Sequence, residues 1–104
     1  MNSDGEQDGA IVTVTGAQLR AARGLLNMSV SDLSERTGLA VNTIRKAEKT
    51  NGPAEVTTAS ARLLVTTLQS AGVLFIAADQ HGAGVRLASP DQEPFRRRRD
   101  KPPA

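Results

Sequence analysis

Apolar residues return at every third or fourth position in four stretches of the chain, which is the spacing of one face of an α-helix. The apolar stripe of the first stretch consists of Leu19, Ala22 and Leu26. Thr15, with Gln18 three residues later, fits a capping box, in which two side chains satisfy free N–H groups at the start of a helix. The pattern predicts a first helix that begins after Thr15 and ends at Asn27.

Two shorter helical stretches follow, on either side of a tight turn at Gly38. Ser29 and Asp32 repeat the capping box, and Gly38 can adopt the left-handed backbone conformation that ends a helix. The next helix is predicted over residues 40–49, and the "TNGP" that follows ends it because Pro cannot continue a helix. Helices this short cannot each bury an apolar stripe alone, so we expect them to share one small core with the first and fourth helices.

The apolar pattern changes after a fourth predicted helix over residues 58–71. Residues 72–78 and 84–89 are short apolar or alternating runs around a Gly-rich loop, which favours a β-hairpin over further helix. Residues 10–15 also alternate as a strand does. Because a lone hairpin is marginal in water, we expect a third strand or a partner chain to complete the sheet.

The third predicted helix has a polar and basic outward face. With Ile44 and Ala47 in the core, its remaining side chains are Val41, Asn42, Thr43, Arg45, Lys46 and Lys49. In the DNA major groove, amides pair with adenine, Arg or Lys with guanine, and methyl groups contact thymine. These side chains therefore suit a helix of the kind that helix-turn-helix proteins place in the major groove.

The 104-residue chain contains no Cys, so an apolar core, without disulfides, must stabilise its one domain. The net charge of +2 is uneven: residues 1–9 carry −3, residues 10–90 carry +3 and residues 91–104 carry +2. The modest positive excess of the middle block suits an anionic partner. Both ends are too polar to bury much surface, which predicts disordered tails over residues 1–9 and 90–104 around a domain over residues 10–89.

The two predicted tails carry further information. The N-terminus is acidic and polar, unlike a signal peptide, and no apolar run approaches the roughly 20 residues of a membrane span, so we expect a cytoplasmic protein without a membrane partner. The C-terminal tail contains a run of Arg over residues 96–99. Such a run follows the DNA backbone or enters a minor groove in some proteins, and is merely solvated in others.

Catalytic and metal-binding groups are sparse in the sequence. His81, the one His, lies beside Gly82 in the predicted hairpin loop, where it and Asp79 are expected as turn residues. One His without Cys cannot form an ordinary zinc site, and no nucleophile with an adjacent base and no phosphate-binding loop is visible. We therefore expect no enzymatic activity, no metal and no cofactor.

The segment "MSVSDLSERTGLAVNTIRKAEK" resembles the Cro/CI-type (XRE) helix-turn-helix family of phage and bacterial DNA-binding proteins. The residues that match in order and spacing are Leu33, Gly38, Leu39, Thr43, Ile44 and Glu48. The preceding "GAQLRAARGLL" resembles the first helix of that family, and the tail from Ala71 to Leu87 is similar to the hairpin of many small bacterial members. The resemblance implies a mainly α, four-helix lambda-repressor-like domain with a C-terminal β-hairpin, to which an N-terminal strand could be added.

The resemblance also implies a set of functional residues. Those expected at DNA are Ser29, Val30, Val41, Asn42, Thr43, Arg45, Lys46 and Lys49. The family commonly has Gln where this chain has Val30, and Ser or Thr where it has Ala40, so a phosphate contact and a helix cap worth about 1 kcal/mol are missing. Arg23 and Glu48 match the positions of a partly buried ion pair between the first and third helices, although on spacing alone they could be two unrelated solvated charges.

The resulting hypothesis is a sequence-specific regulator of transcription that binds duplex DNA at an inverted repeat. A repressor is favoured because so short a chain leaves little room for an effector-binding domain. We expect a homodimer formed through the hairpin, since six apolar residues there exceed what the helices can cover: Val73, Leu74, Phe75, Ile76, Val85 and Leu87. The alternative is a protein-interaction module on the same scaffold, either an antitoxin bound to a toxin or an antiactivator bound to another regulator.

Overall fold

A computed structural model describes residues 13–91, and in that range four helices precede an antiparallel β-hairpin. The elements are α1 (Gly16–Leu26), α2 (Val30–Thr37), α3 (Val41–Glu48), α4 (Thr58–Ser70), β1 (Val73–Ile76) and β2 (Gly84–Leu87). The predicted mainly α architecture with a C-terminal hairpin is confirmed. Both strands are shorter than predicted, because the alternating pattern extends into residues that the ladder does not pair.

Local side-chain chemistry sets most helix ends, as the sequence predicted. Thr15 and Ser29 both form complete capping boxes, and Thr57 accepts a hydrogen bond from the backbone at the start of α4. At the C-terminal ends of α1 and α2, Asn27 and Gly38 have φ angles of 56° and 80°, in the left-handed region that terminates helices. These ends are therefore determined by residues within a few positions of each other in the sequence.

The start of α3 lacks a side-chain cap, because Ala40 stands at the N-cap. The turn before it is held by α2 instead. Ser34 Oγ donates to the Leu39 carbonyl at 2.6 Å, and Leu39 N donates to Thr37 Oγ1 at 3.1 Å. Two hydroxyls of α2 thus fix the turn between α2 and α3, and with it the direction in which α3 leaves.

One apolar core lies between the four helices and the inner face of the hairpin. Its buried side chains are Val14, Leu19, Ala22, Leu26, Met28, Leu33, Ile44, Ala47, Ala61, Leu64, Val65, Leu68 and Val73. The shortest helices, α2 and α3, contribute only Leu33, Ile44 and Ala47 to it. Burial in this shared core stabilises α2 and α3, because helices of two turns are unstable on their own in water.

The two strands pair with Val73 opposite Leu87 and Ile76 opposite Gly84. Alternation along the strands places Val73, Phe75, Val85 and Leu87 towards the core, with α1 against β2 and α4 against β1. The domain itself therefore covers these four of the six apolar hairpin residues, and the surplus expected from the sequence is smaller than predicted. Only Leu74 and Ile76 remain exposed on the outer face, at 47% and 41%.

The predicted strand over residues 10–15 does not form in the part of it that the structure describes, residues 13–15. Val14 O accepts a hydrogen bond from Ala54 N, and Thr15 makes one isolated bridge with Pro53. The capping box at Thr15 already begins α1 there, so the chain cannot continue as a strand. Residues 10–12 of that prediction, and both predicted tails apart from Pro90 and Asp91, lie outside the described residues.

No helix in the described range is long and apolar enough to cross a membrane. The longest, α4, has 13 residues, well short of the roughly 20 that a bilayer requires.

Candidate nucleic-acid interface

The two sides of α3 differ completely in character. Ile44, Ala47 and Glu48 are buried, at positions that recur on one side of a helix. On the opposite side, the exposed side chains are Asn42, Arg45, Lys46 and Lys49. Their spacing of three, four and seven residues aligns them in one stripe, so an amide and three cations project together from this surface. We call these four residues the α3 stripe.

The other residues predicted at DNA lie beside the α3 stripe or on α2. Val41 and Thr43 are half-buried at the edges of α3. Ser29 caps α2 by accepting from Asp32 N at 2.9 Å, so its oxygen is already engaged in the fold. Val30, the first residue of α2, packs partly against the core. Its backbone N–H is among the first N–H groups of the helix, which have no partner within the helix.

The α3 stripe carries three positive charges with no acid among its members. Arg45, Lys46 and Lys49 form no ion pair with any other residue of the described range. The one acid of α3, Glu48, points the other way, into the domain. Cations near the C-terminus of a helix are favoured by the helix dipole, which accounts for a part of this pattern, but the dipole does not explain the exposed amide of Asn42.

Arg23 of α1 and Glu48 of α3 form the ion pair that the resemblance to the helix-turn-helix family implied. Arg23 Nε and Nη2 donate to the two Glu48 oxygens at 2.7 Å each, and Arg23 Nη1 donates to Met28 O at 3.0 Å. The hydrogen bond to Glu48 raises the pKa of the Arg23 guanidinium, against the opposing effect of burial. Such a two-pronged pair fixes orientation as well as distance, so α3 is held at a set angle on α1.

Arg20, one turn before Arg23, also contacts the C-terminal end of α3, a contact that the sequence does not predict. Its Nη1 donates to the backbone carbonyls of Glu48 and Thr50, and its Nη2 donates to Asn51 Oδ1. The spacing of three residues between Arg20 and Arg23 is the one signal that could have suggested a shared direction. The carbonyl acceptors themselves have no sequence signature.

The backbone at the start of α1 lies against the same segment. Gly16 N donates to Gly52 O at 2.9 Å. A Cβ at Gly16 would lie 2.1 Å from Thr50 O and 2.7 Å from Ala47 O, far inside contact distance. Glycine is therefore required at this position for the end of α3 to approach α1 as closely as it does.

Gln18 was predicted only as part of a capping box, but it also connects α1 to the hairpin. Its Oε1 accepts from Thr15 N at 2.9 Å, and its Nε2 donates to the carbonyls of Ile76 and Gly84 at 3.1 and 3.0 Å. Those two residues are the last pair of the ladder before the loop. A single buried amide thus satisfies the helix start and both strand ends.

The hairpin loop holds the one His of the sequence. His81 and Asp79 are exposed in the hairpin loop, where His81 N donates to Asp79 Oδ1 at 2.7 Å, as predicted for turn residues. Among residues 13–91, no three His, Cys, Asp or Glu side chains are grouped closely enough to hold a metal ion. The α3 stripe is thus the described surface whose chemistry indicates a ligand. Comparison with protein-family models, curated proteins and solved structures gave no match. The kind of ligand is therefore inferred from the side chains alone.

Proposed function

We propose that this protein is a Cro/CI-type helix-turn-helix regulator that reads duplex DNA with α3 in the major groove. The observation that carries the proposal is the α3 stripe: an exposed amide and three cations that form no ion pair among residues 13–91, on one side of a helix whose other side is buried. A free helix face of this composition fits the width of the major groove and the charge of the phosphates that border it.

Each member of the α3 stripe has a distinct role in this proposal. Asn42 is expected to pair with adenine, and Arg45 or Lys46 with guanine, because these are the pairings that their geometry favours. Lys49 follows the end of the helix, where a flexible cation reaches the phosphate backbone. The N–H groups at the start of α2, next to Ser29 and Val30, supply a second contact to phosphate.

The rigid attachment of α3 supports the same proposal. The helix is fixed at its start by hydroxyls of α2 and at its end by arginines of α1. Base readout requires side chains held in a defined register with the base edges, and a mobile helix would lose binding free energy in being ordered. A rigid α3 therefore suits sequence-specific readout better than non-specific charge attraction.

We further propose that two copies bind an inverted repeat, with repression as the regulatory outcome. The outer face of the hairpin carries exposed Leu74 and Ile76, and the two-stranded sheet has open edges that a second copy would pair or cover. A two-fold dimer of this kind would place two α3 helices about one DNA turn apart, roughly 34 Å. If no duplex is bound, the same exposed Leu74 and Ile76 favour the alternative of an antitoxin or antiactivator that binds another protein.

The direct test is selection of bound duplexes from a random DNA pool by the full-length protein. We expect enrichment of one inverted repeat, which would establish binding, symmetry and site together. Recovery of no common sequence after repeated rounds would contradict sequence-specific binding.

Substitutions in the α3 stripe then identify the reader. Asn42→Ala and Lys46→Ala should each lose about 1 to 3 kcal/mol of binding free energy on the selected site and change the preferred base at a few positions. Lys49→Ala should weaken all duplexes to a similar extent, because a phosphate contact carries no sequence information. If the first two variants leave both the affinity and the selected motif unchanged, α3 does not read DNA.

A further inference from the structure

The chain segment that follows α3 is bound along the first turns of α1. Both carbonyls that flank Lys49, those of Glu48 and Thr50, accept hydrogen bonds from the Arg20 guanidinium. The next side chain, Asn51, accepts a third from the same group at 2.5 Å. The backbone at the C-terminal end of α3 is therefore held by a residue on another helix.

Backbone contacts continue this attachment beyond Arg20. Gly16 N donates to Gly52 O at 2.9 Å, and Ala54 N donates to Val14 O at 3.0 Å. These backbone bonds hold the segment at the start of α1, and Arg20 holds it one turn further along, from the exposed side of α1. The close approach of this segment to α1 depends on the absence of a Cβ at Gly16.

The bonding of Arg20 differs from that of the cations in the α3 stripe. Its donors are directed at protein oxygens, whereas Arg45, Lys46 and Lys49 form no ion pair within the described residues. A guanidinium has five N–H donors in a planar fork, and a lysine ammonium has neither that shape nor that reach to several acceptors. Arg20 thus depends on its fork geometry, and a phosphate contact at an exposed position would depend mainly on charge.

We propose that Arg20 is a positioning residue for base readout, which holds the C-terminal end of α3, and with it Arg45 and Lys46, in register with the base edges. This inference rests on the proposed function of α3. It distinguishes Arg20 from the basic residues that contact DNA: its loss should lower the preference for the correct sequence without removing a phosphate contact.

The test compares Arg20→Ala and Arg20→Lys with the wild-type protein. Dissociation constants for the selected duplex and for a scrambled duplex are measured by fluorescence anisotropy across a series of salt concentrations. We expect both variants to reduce the ratio of the two affinities by about tenfold, the scale of one misplaced base contact, with an unchanged salt dependence. Thermal melting of each variant checks that the fold is retained, and Arg20→Lys serves as the matched control that keeps the charge.

A phosphate contact by Arg20 would give a different result. Arg20→Ala would then weaken both duplexes alike and reduce the slope of log affinity against log salt by about 0.9, and Arg20→Lys would restore most of the binding. That outcome overturns the positioning role and leaves the proposed function intact. Absence of any preference for the selected duplex in the wild-type protein would overturn the proposed function, and the role of Arg20 with it.

Discussion

Two glycines of α1 should respond to alanine in opposite directions, although they lie in the same helix. At Gly16, an added Cβ would meet the backbone oxygens of Thr50 and Ala47 at 2.1 and 2.7 Å. At Gly24, an added Cβ has no heavy atom within 4 Å, and the residue is exposed. Comparison of Gly16→Ala with Gly24→Ala separates the intrinsic helix preference of alanine from the cost of displacing the end of α3.

The expected magnitudes follow from these surroundings. Alanine is preferred over glycine by about 0.8 to 1 kcal/mol inside a helix, so Gly24→Ala should raise the free energy of unfolding by roughly 0.5 to 1 kcal/mol. Gly16→Ala must move a backbone carbonyl by more than an ångström, and overpacking of this kind costs about 1 to 3 kcal/mol or more. Because the first helical position gains less from alanine, we expect Gly16→Ala to lower the free energy of unfolding by about 2 kcal/mol.

Urea denaturation, followed by circular dichroism, measures both changes in the free energy of unfolding. In thermal unfolding, a change of 1 kcal/mol corresponds to a Tm shift of roughly 4 to 8 °C for a domain of this size. Gly16→Ala should also weaken binding to the selected duplex, since the end of α3 must move away from α1. A Gly16→Ala variant as stable as wild type would refute the close approach of the two elements. A destabilised Gly24→Ala variant would show that helix preference does not determine the effect of alanine in α1, and Gly24→Ala could then not serve as the reference for Gly16→Ala.

Three further predictions concern the ion pair, the start of α3 and the hairpin. Glu48→Ala should lower the free energy of unfolding by about 2 to 3 kcal/mol, at or below the lower end of the roughly 3 to 5 kcal/mol typical of a broken buried pair, because the Arg23 side chain is 20% exposed and keeps its bond to a carbonyl. Ala40→Ser should stabilise the domain by about 0.5 to 1 kcal/mol, since it supplies the missing N-cap oxygen to α3. The double variant Leu74→Glu with Ile76→Glu should convert the expected dimer to a monomer in sedimentation velocity, because both side chains lie on the outer face.

Each of these has a result that would count against it. For the ion pair, Glu35→Ala is the control, because Glu35 is exposed on α2 and its loss should change stability by less than about 0.5 kcal/mol. A Glu48→Ala variant with the same Tm as this control would mean that the pair contributes nothing. An unchanged Tm for Ala40→Ser would mean that the added hydroxyl does not cap α3. Wild-type protein that sediments as a monomer at tens of micromolar, with or without a palindromic duplex, would contradict the dimer. Deletion of the hairpin is a poorer test, since Val73 belongs to the core.

The sequence predicted the features that depend on neighbouring residues. Capping boxes at Thr15 and Ser29, and the left-handed stop at Gly38, involve groups within three positions of each other, so local pattern is sufficient to locate these helix ends. The α3 stripe could be predicted for the same reason, because helical periodicity alone decides which side chains share a side. The identity of the ligand is a separate question that periodicity does not answer.

Long-range contacts account for what the sequence did not predict. Two of the three acceptors of Arg20 are backbone carbonyls 28 and 30 residues away, and the two carbonyls that accept from Gln18 lie 58 and 66 residues away. Carbonyls carry no residue-type signal, so no pattern distinguishes an arginine that binds them from a solvated one. The strand predicted over residues 10–15 is wrong over residues 13–15 for a different, local reason. Alternation is a weak signal over so few positions, and the capping box that begins α1 outweighs it.

The amide of Gln18 has a consequence for how the hairpin tolerates change. In most hairpins the connecting turn sets which residues pair, so an altered turn shifts the register. Here the last pair, Ile76 and Gly84, is also fixed from the helix side, by donation from one buried side chain to both carbonyls. The loop over residues 77–83 is therefore not needed to set the register of the strands. Lengthening it adds only a small entropic cost. We expect this loop to accept inserted sequence, such as a short epitope tag, while the strands keep their pairing.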